Sequence, residues 1–122
     1  MRHVKRHKYG AIPTEVDGIR FASKKEAKRY GELKLLEKLG EIHGLVLQPR
    51  FPLLVPAVGN GGPYERAFVG EYRADFGYCQ CGRPAKCALD SVIEDVKGFK
   101  TPLYRWKKKH VEAQYGITIT EI

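Results

Sequence analysis

The sequence lacks any long apolar run, and this excludes a protein with a membrane-spanning helix. None of its hydrophobic segments approaches the roughly 20 residues that a helix needs to cross a bilayer. The basic residues 1–10 are not followed by an apolar stretch, so they lack the pattern of a secretory signal. No internal repeat or low-complexity segment is present. With 43% hydrophobic content over 122 residues, we expect a basic tail at 1–9 and one globular domain at 10–122, with an insert at 79–90.

Acidic residues are also scarce relative to basic ones. The chain has 14 Asp and Glu against 22 Lys and Arg, which gives a net charge of +8. In a domain this small, such an imbalance indicates a polyanionic partner, namely DNA, RNA or an anionic membrane surface. For the basic residues of 105–109, the alternative is that they form a solvated helix face without a partner. The candidate phosphate contacts are Arg2, Lys5, Arg6, Lys8, Arg105, Lys107, Lys108 and Lys109.

Cysteine is rare, and the three copies lie close together. Cys79, Cys81 and Cys87 form a C-x-C-x5-C pattern, an odd number that does not suit a disulfide framework. The pattern therefore favours a reducing cytoplasm. Close thiolates bind zinc, so one expectation is a structural zinc site with Asp90 or His43 as the last ligand. The alternative is that the small thiols pack the tip of a hairpin.

Two helices are predicted from hydrophobic periodicity and capping residues. In the first, Ser23 and Glu26 form an S-x-x-E capping box, and Gly40 marks the end. In the second, Thr101 precedes a proline at the first helical position, and Gly116 ends the helix. The predicted core-facing residues are Ala27, Tyr30, Leu33, Leu36 and Leu39 in the first helix, and Leu103, Trp106 and His110 in the second.

Four strands and a hairpin complete the predicted pattern. Asp17-Gly18 is typical of a tight hairpin turn ahead of the first helix. The order helix, three strands, helix, strand predicts an α/β fold with a central mixed sheet flanked by helices. In the second strand, alternation places four apolar residues on one face, namely Tyr72, Ala74, Phe76 and Tyr78. The predicted strands are 41–56, 66–78, 91–98 and 117–122. Pro49 and Pro52 interrupt the first of these, so a kink or bulge at a sheet edge is expected near them.

The segment 91–100 places charges in an otherwise apolar strand. Alternation puts Asp95 and Lys97 on one face and Glu94 on the other. The preceding strand most simply pairs with this one in antiparallel fashion, which brings Asp75 to a neighbouring strand. Two carboxylates this close repel each other unless a cation lies between them. The sequence therefore predicts a Mg²⁺ site at Asp75 and Asp95, with Lys97 beside it, suited to phosphate chemistry.

Glu26 is the third candidate metal ligand. It lies on the core-facing side of the first helix, near the start, where a carboxylate can reach the sheet edge and contact metal directly or through water. The alternative is that Glu26 only completes the capping box with Ser23. For the strand residues, the alternative is an exposed ion pair between Asp95 and Lys97, with Asp75 in solvent.

These residues, in this order, resemble the PD-(D/E)XK nuclease superfamily. The similarity is closest to small phage and prophage proteins of this type and to the archaeal-type Holliday junction resolvases. In those proteins a helix supplies a Glu, the second core strand an Asp, and the third a (D/E)-x-K; here FASKKEAKRY, YRADF and IEDVKG supply them. The resemblance covers residues 8–122 and implies a restriction-endonuclease-like αβββαβ core. One departure is Ala74, which replaces the proline before the first Asp.

The resemblance also implies a function. It implies an endonuclease that uses Mg²⁺ or Mn²⁺ to hydrolyse phosphodiester bonds of branched or recombination-intermediate DNA, as a homodimer in the cytoplasm (of the host cell if phage-encoded), with DNA rather than a membrane as its partner. Gln48 corresponds to a polar residue near the metal, and Glu94 replaces Asp95 as ligand if the strand is bulged. The residues that match the catalytic set are Glu26, Asp75, Asp95 and Lys97, of which the three acids would hold metal.

Two noncatalytic alternatives remain from the sequence. One is a nucleic-acid-binding module with a zinc-stabilised hairpin, in which the acidic pair has no catalytic role. The other is a structural accessory protein that assembles with a phage replication complex. Both are compatible with the net charge of +8.

Overall fold

A computed structural model describes residues 13–57, 65–80 and 91–122, which contain two helices and eight strands. The helices are α1, Lys24–Lys38, and α2, Pro102–Tyr115. The strands are β1 Thr14–Val16, β2 Ile19–Phe21, β3 His43–Leu47, β4 Arg50–Pro56, β5 Arg66–Arg73, β6 Phe76–Cys79, β7 Ser91–Asp95 and β8 Ile119–Glu121.

The central sheet has four strands in the order β3-β6-β7-β8. β6 is antiparallel to β3 and β7, whereas β7 and β8 run parallel and are connected through α2. This mixed sheet with two helices confirms the predicted α/β class. β1–β2 and β4–β5 form two-stranded ribbons. Asp17 and Gly18 join β1 to β2 with φ angles of 54° and 73°, which confirms the predicted tight turn.

Two predicted strands are each broken in the middle. The 41–56 segment divides at Gln48, which has a φ of 51°, and Pro49 supplies no backbone N–H. The next predicted strand divides at Ala74 and Asp75. The two breaks face each other, since Gln48 N donates to the Asp75 carbonyl at 2.9 Å and Ala74 N donates to the Pro49 carbonyl at 3.1 Å. The irregularity expected near the prolines of 41–56 is thus observed at Pro49, whereas the prediction of one unbroken strand over 66–78 is wrong.

The break before β6 changes the face on which side chains lie. Tyr72 and Ala74 pack in a core cluster with Val111 of α2. Phe76 and Tyr78 pack instead in a second cluster, with the buried residues of α1. Strict alternation would have kept all four on one face. Asp75 lies at the point where the chain passes from one cluster to the other.

Both helices begin at their predicted caps. Ser23 Oγ accepts a hydrogen bond from Glu26 N at 3.1 Å, and Thr101 Oγ1 accepts one from Tyr104 N at 3.0 Å. Gly116, with φ of 64°, ends α2 as predicted. Within the described residues, neither helix is long and apolar enough to span a bilayer.

Periodicity predicted the buried face of α1 better than that of α2. Ala27, Tyr30 and Leu33 are buried in α1, whereas Leu39 is exposed. In α2 the predicted stripe is wrong, because Leu103 and Trp106 are 60% and 58% exposed. The residue that α2 buries completely is Val111. α2 therefore leaves an aromatic side chain at the surface.

Candidate active site

Three carboxylates and a lysine meet where β6 begins and β7 ends. Asp75 immediately precedes β6, Asp95 is the last residue of β7, and Asp75 N donates to the Glu94 carbonyl at 3.1 Å. The Asp75 carboxyl group lies near those of Asp95 and of Glu26, which is in the first turn of α1, since both of these acids raise its pKa. Lys97 Nζ lies 3.2 Å from Asp95 Oδ1. The structure thus brings together all four residues of the predicted catalytic set.

Asp95 is almost completely buried, at 1% exposure. Its Oδ2 accepts a hydrogen bond from the Tyr72 hydroxyl. Burial raises the pKa of Tyr72, and the bond to Asp95 raises it further, so Tyr72 remains a donor at neutral pH. Asp95 Oδ1 is close to Lys97 Nζ, but it makes no hydrogen bond of good geometry within the described residues. One oxygen of this buried carboxylate therefore keeps free acceptor capacity.

A polar cleft of about 400 Å³ opens beside Asp95 and Lys97, between β5, the end of β7 and the first turns of α2. We call it the acidic cleft. Lys97 Nζ lies 4.5 Å from the centroid of the Tyr104 ring, which forms part of the wall. Lys107 lines the cleft from α2, and its Nζ donates to the Glu71 carbonyl at 3.0 Å. A ligand in this cleft would contact both lysines and Asp95.

Glu94 lies on the opposite face of the sheet and is completely buried. Its two carboxylate oxygens accept hydrogen bonds from Nε and Nη2 of Arg29, each at 2.7 Å. The Tyr78 hydroxyl donates a further bond. Arg29 belongs to α1 and Glu94 to β7, so this buried ion pair links the helix to the sheet. The structure places Asp95, and not Glu94, beside Lys97.

Three residues of this region were not predicted from the sequence. Tyr72 contacts Asp95 because the strand is interrupted between the two ends of this segment, and the alternation of residues did not indicate that contact. Tyr104 was predicted only as an aromatic among basic residues. Arg29 had a usable signal, because it stands three residues after Glu26 and therefore on the same side of α1.

Gln48, the predicted polar neighbour of the metal, has an exposed side chain. Its backbone N–H donates to the Asp75 carbonyl. Gln48 therefore contributes to the position of Asp75 through its backbone.

The predicted zinc ligands are only partly described. Cys79 is buried in β6 and lies directly opposite His43 of β3. Cys81, Cys87 and Asp90 lie outside the described residues. The zinc site therefore stays a prediction, and the cross-strand position of His43 suits its role as a further ligand.

The four basic residues of α2 have different surroundings. Lys107 lines the acidic cleft, whereas Lys108 forms an ion pair with Glu121 at 3.2 Å. Arg105 and Lys109 are exposed and make no ion pair within the described part of the chain. Lys108 is thus paired with an acid in this structure, and phosphate binding by the four residues stays a prediction. The basic residues of the predicted tail, Arg2, Lys5, Arg6 and Lys8, lie outside the described ranges.

Comparison with known proteins places the chain in a family. The sequence profile of the family described as "Protein of unknown function (DUF1064)" matches residues 6–120. The chain belongs to this family. No curated protein and no solved structure matches it. For this DUF1064 member, the chemistry must therefore be inferred from its own side chains.

The carboxylates of Asp75 and Asp95 fit Mg²⁺ better than a metal whose ligands must all come from the protein. Among the described residues, no three His, Cys, Asp or Glu side chains form a ready metal-binding group. Mg²⁺ needs fewer ligands, since it takes one or two carboxylates and keeps several waters. Asp75 and Asp95 supply two carboxylates. The buried polar atoms without a partner in the described ranges, Asp95 Oδ1 and the Tyr104 hydroxyl, both belong to residues that line the acidic cleft.

Because Asp75 lies close to Asp95 and Glu26, we expect the stability of the metal-free protein to depend on pH. Burial, then the hydrogen bond to Asp95 and the charge of Glu26, raise the pKa of Asp75 to about 8 from its ordinary value of 3.8. The folded state thus keeps a proton that the unfolded state releases. We expect the free energy of unfolding to fall between about pH 4 and pH 8, by at most about 1.4 kcal/mol per pH unit.

Urea unfolding with EDTA, at several pH values between about 5 and 8, measures this slope. Asp75→Asn cannot titrate, so its slope should be shallower than that of the wild type. Glu121→Gln is the matched control. The pKa of Glu121 is lowered by Lys100 and Lys108, so its removal should leave the slope in this window unchanged. Equal slopes for the wild type and Asp75→Asn would contradict the prediction.

Proposed function

We propose that the protein is a Mg²⁺-dependent endonuclease that hydrolyses phosphodiester bonds in branched or recombination-intermediate DNA. The observation that carries the proposal is the proximity of Glu26, Asp75, Asp95 and Lys97, of which Asp95 and Lys97 line the acidic cleft. These residues come from a helix and two neighbouring strands, in the chain order of PD-(D/E)XK nucleases. If each broken strand counts as one segment, the order α1, β3–β4, β5–β6, β7, α2, β8 also corresponds to that superfamily's αβββαβ core.

These four residues would have distinct roles. Asp75 and Asp95 would hold Mg²⁺, with Glu26 as a direct or water-mediated ligand. Asp75 Oδ2 accepts a hydrogen bond from Val96 N at 2.7 Å, which fixes the orientation of this carboxylate. A metal held there would supply Lewis-acid chemistry, that is, it would polarise a phosphoryl oxygen and lower the pKa of a coordinated water. Lys97 would stabilise the negative charge that develops on the phosphate.

The charge distribution supports DNA as the partner. The net charge is +8, and Lys107 lines the acidic cleft while Arg105 and Lys109 lie exposed on the same helix. Contacts from such residues to phosphates position a duplex without reading its sequence, and they weaken as salt increases. Cutting both strands of a junction requires two sites, so a symmetric dimer is part of the proposal. A cytoplasmic location is part of the same proposal.

A noncatalytic nucleic-acid-binding module is the second candidate. One observation favours it: the described residues contain no group of three metal-ligating side chains. This candidate predicts binding of DNA without cleavage, whichever divalent cation is present.

Cleavage assays on three DNA substrates separate these candidates. Supercoiled plasmid, linear duplex and a four-way junction are incubated with protein and Mg²⁺, with EDTA as the control. The nuclease proposal predicts cleavage that requires Mg²⁺ and is fastest on the junction. Binding without cleavage in both Mg²⁺ and Mn²⁺ would favour the noncatalytic module.

Lys97→Ala is expected to reduce the rate of cleavage about 100-fold, because it removes the cation next to the phosphate. Lys100→Ala is the matched control, since Lys100 is a nearby exposed lysine that pairs with Glu121 at 3.0 Å. Single-turnover cleavage of the junction measures both variants. Similar rates for Lys97→Ala and the wild type would remove Lys97 from the proposed mechanism.

A further inference from the structure

A second cleft, about 650 Å³ in volume, lies between α2 and the β4–β5 ribbon. We call it the aromatic cleft. Trp106 lines it and is 58% exposed, and it is the one tryptophan of the sequence. The residues that matter here are Leu54, Arg66, Trp106, Lys109 and His110.

The indole of Trp106 is held in position by its neighbours. Its ring meets the His110 ring edge-on, with centroids 6.1 Å apart and an angle of 83° between the planes. His110 is in turn fixed, because its Nε2 donates to the Leu54 carbonyl at 3.0 Å. A single exposed apolar side chain is ordinary on a convex surface. This one lines a concave site and is oriented by a hydrogen-bonded partner.

The charges around the aromatic cleft are all of one sign. Arg66 and Lys109 line it, and both are exposed. Within the described residues, neither forms an ion pair, and no acidic residue lines the cleft. A flat aromatic surface flanked by unpaired cations suits a ligand that is itself aromatic and anionic. Single-stranded nucleic acid has this chemistry, because its bases stack on aromatic rings while its phosphates contact Lys and Arg.

The aromatic cleft and the acidic cleft share α2 as a wall. Leu103, Tyr104 and Lys107 line the acidic cleft, whereas residues from Trp106 to Gln114 line the aromatic one. At 1.5 Å per residue, the two sets are centred roughly 9 Å apart along the helix axis. Along β5 the two linings are farther apart, because Arg66 and the set Glu71 to Arg73 are centred roughly 20 Å apart at 3.3 Å per residue. A stacked strand rises about 3.4 Å per nucleotide, so separations of roughly 9 to 20 Å correspond to about three to six nucleotides. One strand of nucleic acid can therefore occupy both clefts.

We infer that the aromatic cleft binds an unpaired base of a single-stranded segment, which stacks on Trp106 while Arg66 and Lys109 contact the flanking phosphates. The position of this base, about three to six nucleotides from the phosphate that is cut, rests on the proposed function. The binding of the base does not. The favoured substrate is consequently DNA with unpaired nucleotides next to the cleavage position.

Fluorescence of the single tryptophan reports directly on this site. In EDTA, a short oligothymidylate should quench the emission of the wild type as it binds. An abasic oligomer with the same number of phosphates, and a blunt duplex, should quench far less. Trp106→Ala should bind oligothymidylate about 5- to 150-fold more weakly, measured by anisotropy of a labelled strand. Trp106→Phe retains a ring and should recover most of the affinity.

Leu35→Ala is the matched control, because Leu35 is equally exposed, at 58%, but lies on α1. It should bind like the wild type. Equal quenching by the abasic oligomer, or undiminished affinity in Trp106→Ala, would overturn the inference. Because binding is measured without metal, its result is independent of cleavage. If the protein binds single strands through Trp106 but never cuts DNA, only the nuclease proposal is refuted. If it cuts DNA while Trp106→Ala binds single strands normally, only this inference is refuted.

Discussion

Asp95→Asn is expected to reduce Mg²⁺-dependent cleavage of a four-way junction roughly 1,000-fold, which corresponds to about 4 kcal/mol of transition-state stabilisation. The substitution removes the charge of a buried carboxylate whose Oδ1 has no hydrogen bond within the described residues. Asparagine has the same shape, and its carbonyl oxygen can still accept the bond from Tyr72. The fold should therefore survive. Single-turnover cleavage and circular dichroism measure the two effects separately.

Glu121→Gln is the matched control for this loss. Glu121 is the residue in register with Asp95 on the neighbouring strand β8, but it is exposed and forms ion pairs with Lys100 and Lys108. We expect cleavage by Glu121→Gln to remain close to that of the wild type. Equal losses in the two variants would mean that overall charge, rather than the Asp95 carboxylate, controls the rate. Both variants should still bind the junction.

Arg29→Ala is expected to lower the free energy of unfolding by about 3–5 kcal/mol, because it leaves the Glu94 carboxylate buried without its cation. Glu94 is completely buried and receives both of its charged hydrogen bonds from Arg29. A loss of this size is a large part of the roughly 5–15 kcal/mol that stabilises an ordinary domain. Urea unfolding at neutral pH measures it.

Glu32→Gln provides the comparison for Arg29→Ala, because Glu32 is the exposed partner of the same guanidinium, at 3.0 Å. Its removal should cost at most about 1 kcal/mol, as for other exposed ion pairs. If Glu32→Gln destabilises the protein as much as Arg29→Ala does, the buried pair with Glu94 is not the contact that joins α1 to the sheet.

Features that depend on neighbouring residues could be predicted from the sequence. The caps at Ser23 and Thr101 are local hydrogen bonds, and both helices begin where those residues predict. The position of Asp95 beside Lys97 was predicted from two-residue periodicity, although β7 ends at Asp95 and Lys97 follows two residues later. The α/β class followed from the order of elements. In each case the determining interactions lie within a few residues of one another.

Features that depend on contacts between distant segments could not be predicted. The strand interruptions at Gln48 and at Asp75 stabilise each other through hydrogen bonds between the two segments. The break moves Tyr72 to the face that carries Asp95, which alternation from Phe76 would not allow. The exposure of Trp106 likewise depends on how α2 packs against β4 and β5. Periodicity in a single helix does not contain this information.

Binding of Mn²⁺, followed by electron paramagnetic resonance, tests most directly whether Asp75 and Asp95 form a divalent-cation site. With and without junction DNA, we expect the wild type to bind Mn²⁺ in a form that Mg²⁺ displaces. This binding should disappear in Asp75→Asn and in Asp95→Asn and persist in Glu121→Gln. A wild type that binds no Mn²⁺ in either condition, or two aspartate variants that bind it as the wild type does, would contradict the account.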